Sequence, residues 1–250
     1  MPNEITRREL IAGATAGAAA MFVPLQPQRP TSPATATATV FSNAMVINPD
    51  AVQEDVSVAV QGDTIVAIGP NDAIARRYPN ATTYDARNRA ILPGLINCHA
   101  HLTATLERGF NEDFGFPNSA RLSVRPASLL RGDEIDLMVT IGALEAIRTG
   151  TTTLVENAGG IGRYASALAS TGLRWVFAES GRDSENVPGP ISPDGLARSE
   201  TPRFSAKTRE DTMQHINDLF SAWHGKNNGR INVFPAAALA ETSSPELLRA

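Results

Sequence analysis

The side chains best suited by type and spacing to do chemistry are His99 and His101. They close the stretch Ala90-Ile91-Leu92-Pro93-Gly94-Leu95-Ile96-Asn97-Cys98-His99-Ala100-His101-Leu102. Two imidazoles can begin a divalent metal site when both rings reach one point. A β-strand brings this about, because its side chains alternate with period two. Read as a strand, the stretch puts Leu95, Asn97, His99 and His101 on one face and Ile96, Cys98 and Ala100 on the other. The second face is wholly apolar, which predicts a buried parallel strand backed by a helix. The first turns polar at its C-terminal end, where an α/β barrel builds its active site. Spacing alone makes His-x-His a weak signal; its place at a strand end after Pro93-Gly94 strengthens it.

Other candidates are few. Glu156 and Glu179 each end a predicted strand, where each either holds a substrate at the barrel mouth or is a solvated strand end. Arg108 and Asp113 either shape a loop over the site or form an ordinary surface pair of little worth. His215 and His224 are the only other histidines. They fall in a predicted helix and read as surface or packing residues. The single cysteine, Cys98, excludes an internal disulfide and a cysteine-based zinc site. Its predicted helix-facing position suits a buried structural thiol better than a nucleophile.

The elements that must carry these residues follow from periodicity and turn signals. Residues 39–47, 56–60 and 64–68 are rich in Val, Ile and Thr and predict strands, with a hairpin at Gln61-Gly62-Asp63. One or two helical turns at 71–77 and short strands at 82–85 and 90–92 complete a small all-β unit. After a long segment at 102–126, residues 133–148 predict a helix. Asp133 would cap it, and Ile135, Leu137, Met138, Ile141, Leu144, Ala146 and Ile147 would form its apolar face, with Gly150 as terminator. Strands follow at 151–156, 173–178 and 230–234, and helices at 161–170 and 206–224. A last helix begins at 244, with Ser243 or Ser244 as cap and Pro245 in the first position. A second long loop spans 179–204. Alternating strands and helices with short returns are the grammar of a barrel. The fold class expected is α/β: a small N-terminal β-sandwich unit, then the first half, about four βα units, of a TIM-type (β/α)8 barrel.

With 250 residues, 42% of them hydrophobic, the chain can bury a sizeable core, and a net charge of −4 gives no reason to expect a nucleic-acid partner. Lysine occurs only at Lys207 and Lys226, so the positive charge is nearly all arginine. The N-terminus reads as a targeting segment. Thr6-Arg7-Arg8-Glu9-Leu10 precedes a weakly apolar run at 10–25, with small-residue sites at Ala18-Ala19-Ala20 and Ala34-Thr35-Ala36. This predicts twin-arginine export to the periplasm; the alternative is a tail with two chance arginines. The run falls short of the roughly 20 residues of a spanning helix, so no stable membrane anchor is expected. The division expected is a signal and linker at 1–39, the β-sandwich unit at 40–92 and a partial barrel at 93–250.

The string Leu92-Pro93-Gly94-Leu95-Ile96-Asn97-Cys98-His99-Ala100-His101-Leu102, followed by Arg108-Gly109 and Gly150-Thr151-Thr152-Thr153, resembles the amidohydrolase superfamily, and within it the triazine hydrolase, chlorohydrolase and cytosine deaminase branch. The resemblance runs from about residue 40 to the last. It implies a metal-dependent hydrolase of non-peptide carbon–nitrogen bonds, acting on a small cyclic amidine, amide or heterocycle, or a dechlorinating member of the group. In such families His99 and His101 would be two ligands of a single divalent ion, zinc or iron. The other parts would be a histidine from strand five, one from strand six and an aspartate from strand eight. A homo-oligomer is compatible with the resemblance.

No residue of this chain answers to those later parts. About 155 residues follow Gly94, where a whole barrel takes about 250. Ala236, after Pro235, stands where many relatives place a substrate-contacting histidine. The expectation is therefore the N-terminal part of an amidohydrolase with no catalytic residue of its own beyond the metal pair. The alternative is a catalytically inactive half-barrel fragment. A second chain carrying the later strands could complement either.

Overall fold

The computed structural model describes residues 37–109, 129–186 and 202–250, and the contacts among them divide the chain into two units. The first holds residues 37–44 and 55–87; the second holds 45–54 and 88 onward. The expected signal and most of its linker lie outside the described residues. None of the described helices is long and apolar enough to cross a membrane.

Strands β1 (Thr39–Asn48), β2 (Ala51–Gln61), β3 (Thr64–Pro70), β4 (Thr82–Asp85) and β5 (Ala90–Ile91) form one sheet in the order β3-β2-β1-β4, with β5 also paired to β1. The hairpin falls where the turn residues put it. Gln61 pairs with Thr64 across Gly62-Asp63, and Gly62 takes φ +61, a conformation that glycine adopts without strain. A sandwich is not confirmed here: among the described residues these five strands form one sheet. In the first unit helix α1 (Asn71–Arg77) covers it, with Ile74 buried against Val40 and Ala59. Asn71 anchors that helix. Its Oδ1 accepts from the Ser57 hydroxyl at 2.7 Å and the Asn43 amide at 3.0 Å, and its Nδ2 donates to Asp55.

The second unit carries four parallel strands in sequence order: β6 (Leu95–Ala100), β7 (Thr151–Ala158), β8 (Arg174–Gly181) and β9 (Ile231–Ala237). Helices α2 (Gly132–Arg148), α3 (Ala165–Ser170) and α4 (Ala206–Trp223) connect them, and α5 (Pro245–Arg249) follows. Strands and helices alternating in this order bear out the expected α/β class with a parallel sheet. Leu154, Trp175, Phe177, Ile231 and Val233 are buried together with Leu168 of α3 and Leu219 of α4. The Trp175 indole donates to the Leu168 carbonyl at 2.8 Å, so its one polar atom is satisfied inside the core.

Three expectations are corrected here. Among the described residues β6 pairs with β7 alone, Leu95 and Ile96 are exposed, and Cys98 is exposed rather than buried. Helix α2 buries Met138, Val139, Gly142 and Ala143, while Leu137, Ile141 and Leu144 face outward. Its sequence is apolar nearly all round, and small residues choose the inward side. A Cβ at Gly142 would lie 2.5 Å from the Thr105 hydroxyl, so only glycine admits that approach. The cap of α2 is Arg131, not Asp133: Glu134 accepts from the Arg131 amide at 2.8 Å, one half of a capping box. At α5 the expected Ser244 cap is present, accepting from the Leu247 amide at 3.0 Å.

Candidate metal centre

The His99 and His101 rings meet at the C-terminal end of β6. Pro93-Gly94 sets the start of that strand, because a Cβ on Gly94 would overlap the Thr152 side chain on β7. A glycine is thus required where the two strands first approach. Alternation then puts both imidazoles on one side. Their Nε2 atoms are 3.1 Å apart, and the rings lie edge to face with centroids 4.7 Å apart. Both side chains are exposed.

That separation tests the site's fitness for a metal. Two nitrogens on one tetrahedral zinc, each at about 2.05 Å, stand about 3.3 Å apart. The observed pair therefore has the bite of a chelate. Its protonation agrees. His101 Nδ1 hydrogen-bonds the Asn157 backbone carbonyl, which can only accept, so Nδ1 carries the proton. In the neutral ring Nε2 then holds a lone pair aimed at His99, the tautomer a ligand needs. Asn97 Oδ1 accepts from the His99 amide at 3.1 Å and so braces the strand just before the pair. Asn157 Oδ1 in turn accepts from the Ser180 hydroxyl. Among the described residues no group of three or more His, Cys, Asp or Glu side chains is placed to hold a metal.

Glu156 and Glu179 are not solvated strand ends, and they do not lie open to a substrate. Glu156 is 0% exposed. Its carboxylate accepts from the Leu102 amide at 3.0 Å and the Tyr164 hydroxyl at 3.0 Å. Burial pushes it up to about 7, against the opposing pull of those two donors. Burial likewise lifts the Tyr164 phenol, which Glu156 raises further. Glu179 accepts from the Gly160 and Ile161 amides. Burial raises it as well, and these amides and the charges of His215 and Arg163 work the other way. Both carboxylates are thus buried against protein donors at the ends of their strands.

The remaining candidates sort plainly. Arg108 forms an exposed ion pair with Glu145 at 2.6 Å, and Asp113 lies outside the described residues. His215 is exposed on α4. His224 caps the end of α4, accepts from the Val233 amide at 3.2 Å and stacks on Phe220. The sequence reading missed Asn157, Tyr164 and a third buried acid. Asp183 is 0% exposed and accepts from the Ser244 amide at 2.8 Å, the Ser244 hydroxyl and Arg209. Burial works to raise it, but those donors prevail and hold it below the usual carboxylate range. Only Asn157 carried any sequence signal, as a polar residue prolonging a strand beside Glu156.

A profile of the amidohydrolase family matches residues 90–250. The 5-methylthioadenosine/S-adenosylhomocysteine deaminase of Symbiobacterium thermophilum is 28% identical over 200 residues, which are 80% of this chain and 41% of that one. Among solved structures, guanine deaminase from C. acetobutylicum with bound guanine aligns with a TM-score of 0.65 at 17% identity, covering 84% of this chain and 48% of that one. Atrazine chlorohydrolase TrzN from Arthrobacter aurescens TC1, complexed with zinc, gives 0.59 at 20% identity and the same coverage. The chain thus spans less than half the length of these relatives. Sequence profile and half-barrel agree, and the chain belongs to the amidohydrolase family.

Proposed function

We propose that this chain supplies the opening half of a metal-dependent hydrolase site that breaks non-peptide carbon–nitrogen bonds in a small cyclic amidine or amide. The observation that carries the reading is the Nε2 pair of His99 and His101 at 3.1 Å, with His101 Nδ1 set against the Asn157 carbonyl. His99 and His101 would hold the ion, zinc or iron. The chemistry a divalent ion would supply there is Lewis acidity and a water made more acidic, suited to hydrolysis at neutral pH. The residues of this chain do the rest of what falls to it. Asn157 keeps His101 in the ligand tautomer, and Asn97 braces the strand at His99. The names of the relatives support deamination of a purine ring as the form of the reaction, with dechlorination of a triazine as its variant.

A second reading rests on the donor count. A catalytic zinc takes three protein ligands and an open position, and the described residues bring two histidines together. On that reading the chain alone binds metal weakly and turns nothing over. Purified protein should be loaded with zinc or iron, with metal content measured, and assayed for ammonia from guanine or 5-methylthioadenosine and for chloride from atrazine. Stoichiometric metal with turnover supports the hydrolase in the chain itself. Weak metal binding that disappears in His99→Ala, without turnover, supports the second reading. Metal binding indifferent to His99 and His101 would remove both.

A further inference from the structure

We propose that Glu156, held in turn by Tyr164, is a positioning residue that fixes His101 at the metal centre. The inference rests on the reading of His99 and His101 as metal ligands, and it assigns the side chain that sets their geometry. Strand β7 grips His101 through two consecutive residues. Asn157 takes the ring, by its carbonyl on Nδ1. Glu156 takes the backbone, because both of its oxygens face the Leu102 amide, at 3.0 and 3.3 Å. That amide belongs to the peptide unit joining His101 to Leu102, so the carboxylate fixes the orientation of the plane that leaves His101.

The grip is needed because strand order ends here. Residue 100 is the last of β6, and the chain turns into a 3₁₀ helix at Leu102–Glu107. The pairing of β6 with β7 is already irregular between Asn97 and Ala100. Ladder hydrogen bonds therefore do not define His101, and the side chain of Glu156 takes their place. Tyr164 completes the arrangement from beyond β7. Its hydroxyl donates to Glu156 Oε1 at 3.0 Å, and its ring is buried against the same core. The outer partners of metal-bound histidines set ring orientation, and their loss typically lowers metal affinity 10- to 100-fold. Glu156 acts one step further out, through the backbone.

The test uses the full chain, with selective isotope labelling of histidine and without metal in its first arm. The ring nitrogens of His101 should report a single tautomer protonated at Nδ1. In Glu156→Leu, which offers the Leu102 amide no acceptor, with folding verified by near-UV circular dichroism, that signal should give way to a mixture of tautomers. Cobalt affinity, read from its visible absorption, should fall roughly tenfold. Tyr164→Phe keeps the ring and the Leu102 contact, so it should shift the same signal in the same direction by less. It also guards against loss of folding in the first variant. An unchanged His101 signal in both variants overturns the proposal. A changed signal in a protein that binds no cobalt even as wild type would leave the positioning role standing and sink the metal reading instead.

Discussion

Replacing Glu156 by Gln should change how stability depends on pH, and the sign and size follow from its surroundings. Burial lifts this carboxyl from 4.5 to about 7. Its folded value thus lies above its unfolded value, so the folded chain binds the proton more tightly. Below pH 4.5 the group is protonated in both states and its contribution is fully present. Between there and about 7 the unfolded chain ionises first, and stability drains away as pH rises. Above about 7 both states are ionised and the slope ends. At about 1.4 kcal/mol per pH unit, the interval from 4.5 to about 7 amounts to about 3 kcal/mol. Glutamine cannot ionise, so Glu156→Gln lacks this fall. Urea unfolding of both proteins at pH 4.5, 5.5, 6.5 and 8, followed by the fluorescence of buried Trp175, gives the difference directly, and other titrating groups largely cancel in it. Wild type should lose about 3 kcal/mol relative to the variant across that range. Two parallel curves would refute the reasoning. A wild type that gains on the variant as pH rises would mean that Leu102 and Tyr164 outweigh the desolvation of the carboxylate.

Three further outcomes are expected. Gly94→Ala should destabilise the second unit by about 1–3 kcal/mol through the clash with Thr152, and Thr152→Ala in the same chain should recover most of it, both read by urea unfolding. Asp183→Asn should lower stability by about 3 kcal/mol, since it leaves Arg209 and Ser244 without their anion. Because the Asp183 carboxyl is held low, its stabilisation is present above the unfolded value of about 3.8 and is lost as pH falls through the lower folded value. The variant should therefore be less sensitive to acid than wild type. We also propose that residues 1–39 direct export: Arg7→Lys with Arg8→Lys should keep the protein in the cytoplasm in a cell fractionation, and unaltered periplasmic recovery would count against a twin-arginine signal.

Much of the fold was legible in the sequence, and the failures share a cause. Period-two stretches and turn residues located the four parallel strands and the hairpin at Gly62 and narrowed the last helix's cap to Ser243 or Ser244, because each of these is decided locally. What depends on neighbours was not legible. The inward face of α2 could not be read from an apolar count when Leu137, Met138, Val139, Ile141 and Leu144 lie all around the helix; close approach at Gly142 decided it. Cys98 was assigned to a buried face on alternation alone, yet β6 has its hydrogen-bonded neighbour on one side only among the described residues. Short strands alone do not say how many sheets they build; β1 to β5 share one among the described residues. At the site, His99 and His101 were legible because i, i+2 spacing is itself a geometric statement. Asn157 and Tyr164 were not, because their roles come from register and from a turn that the sequence does not fix.

The strand-end carboxylates show most clearly what sequence leaves undecided. An acid at the C-terminal end of a barrel strand can reach for a substrate or for the backbone, and the two roles call for the same residue at the same place. The donors decide between them. The first turns of a helix leave their amides without partners, and such amides favour an anion. Glu156 takes the amide of Leu102, first residue of the 3₁₀ helix after β6. Glu179 takes Gly160 and Ile161, where the 3₁₀ turn Ile161–Arg163 after β7 begins. Asp183 takes Ser244, the cap of α5 after β9. The same solution thus occurs three times: a buried acid near the end of one strand closes the turn that follows another. The amides that open these turns are met by the protein's own buried acids, which leaves those carboxylates already engaged.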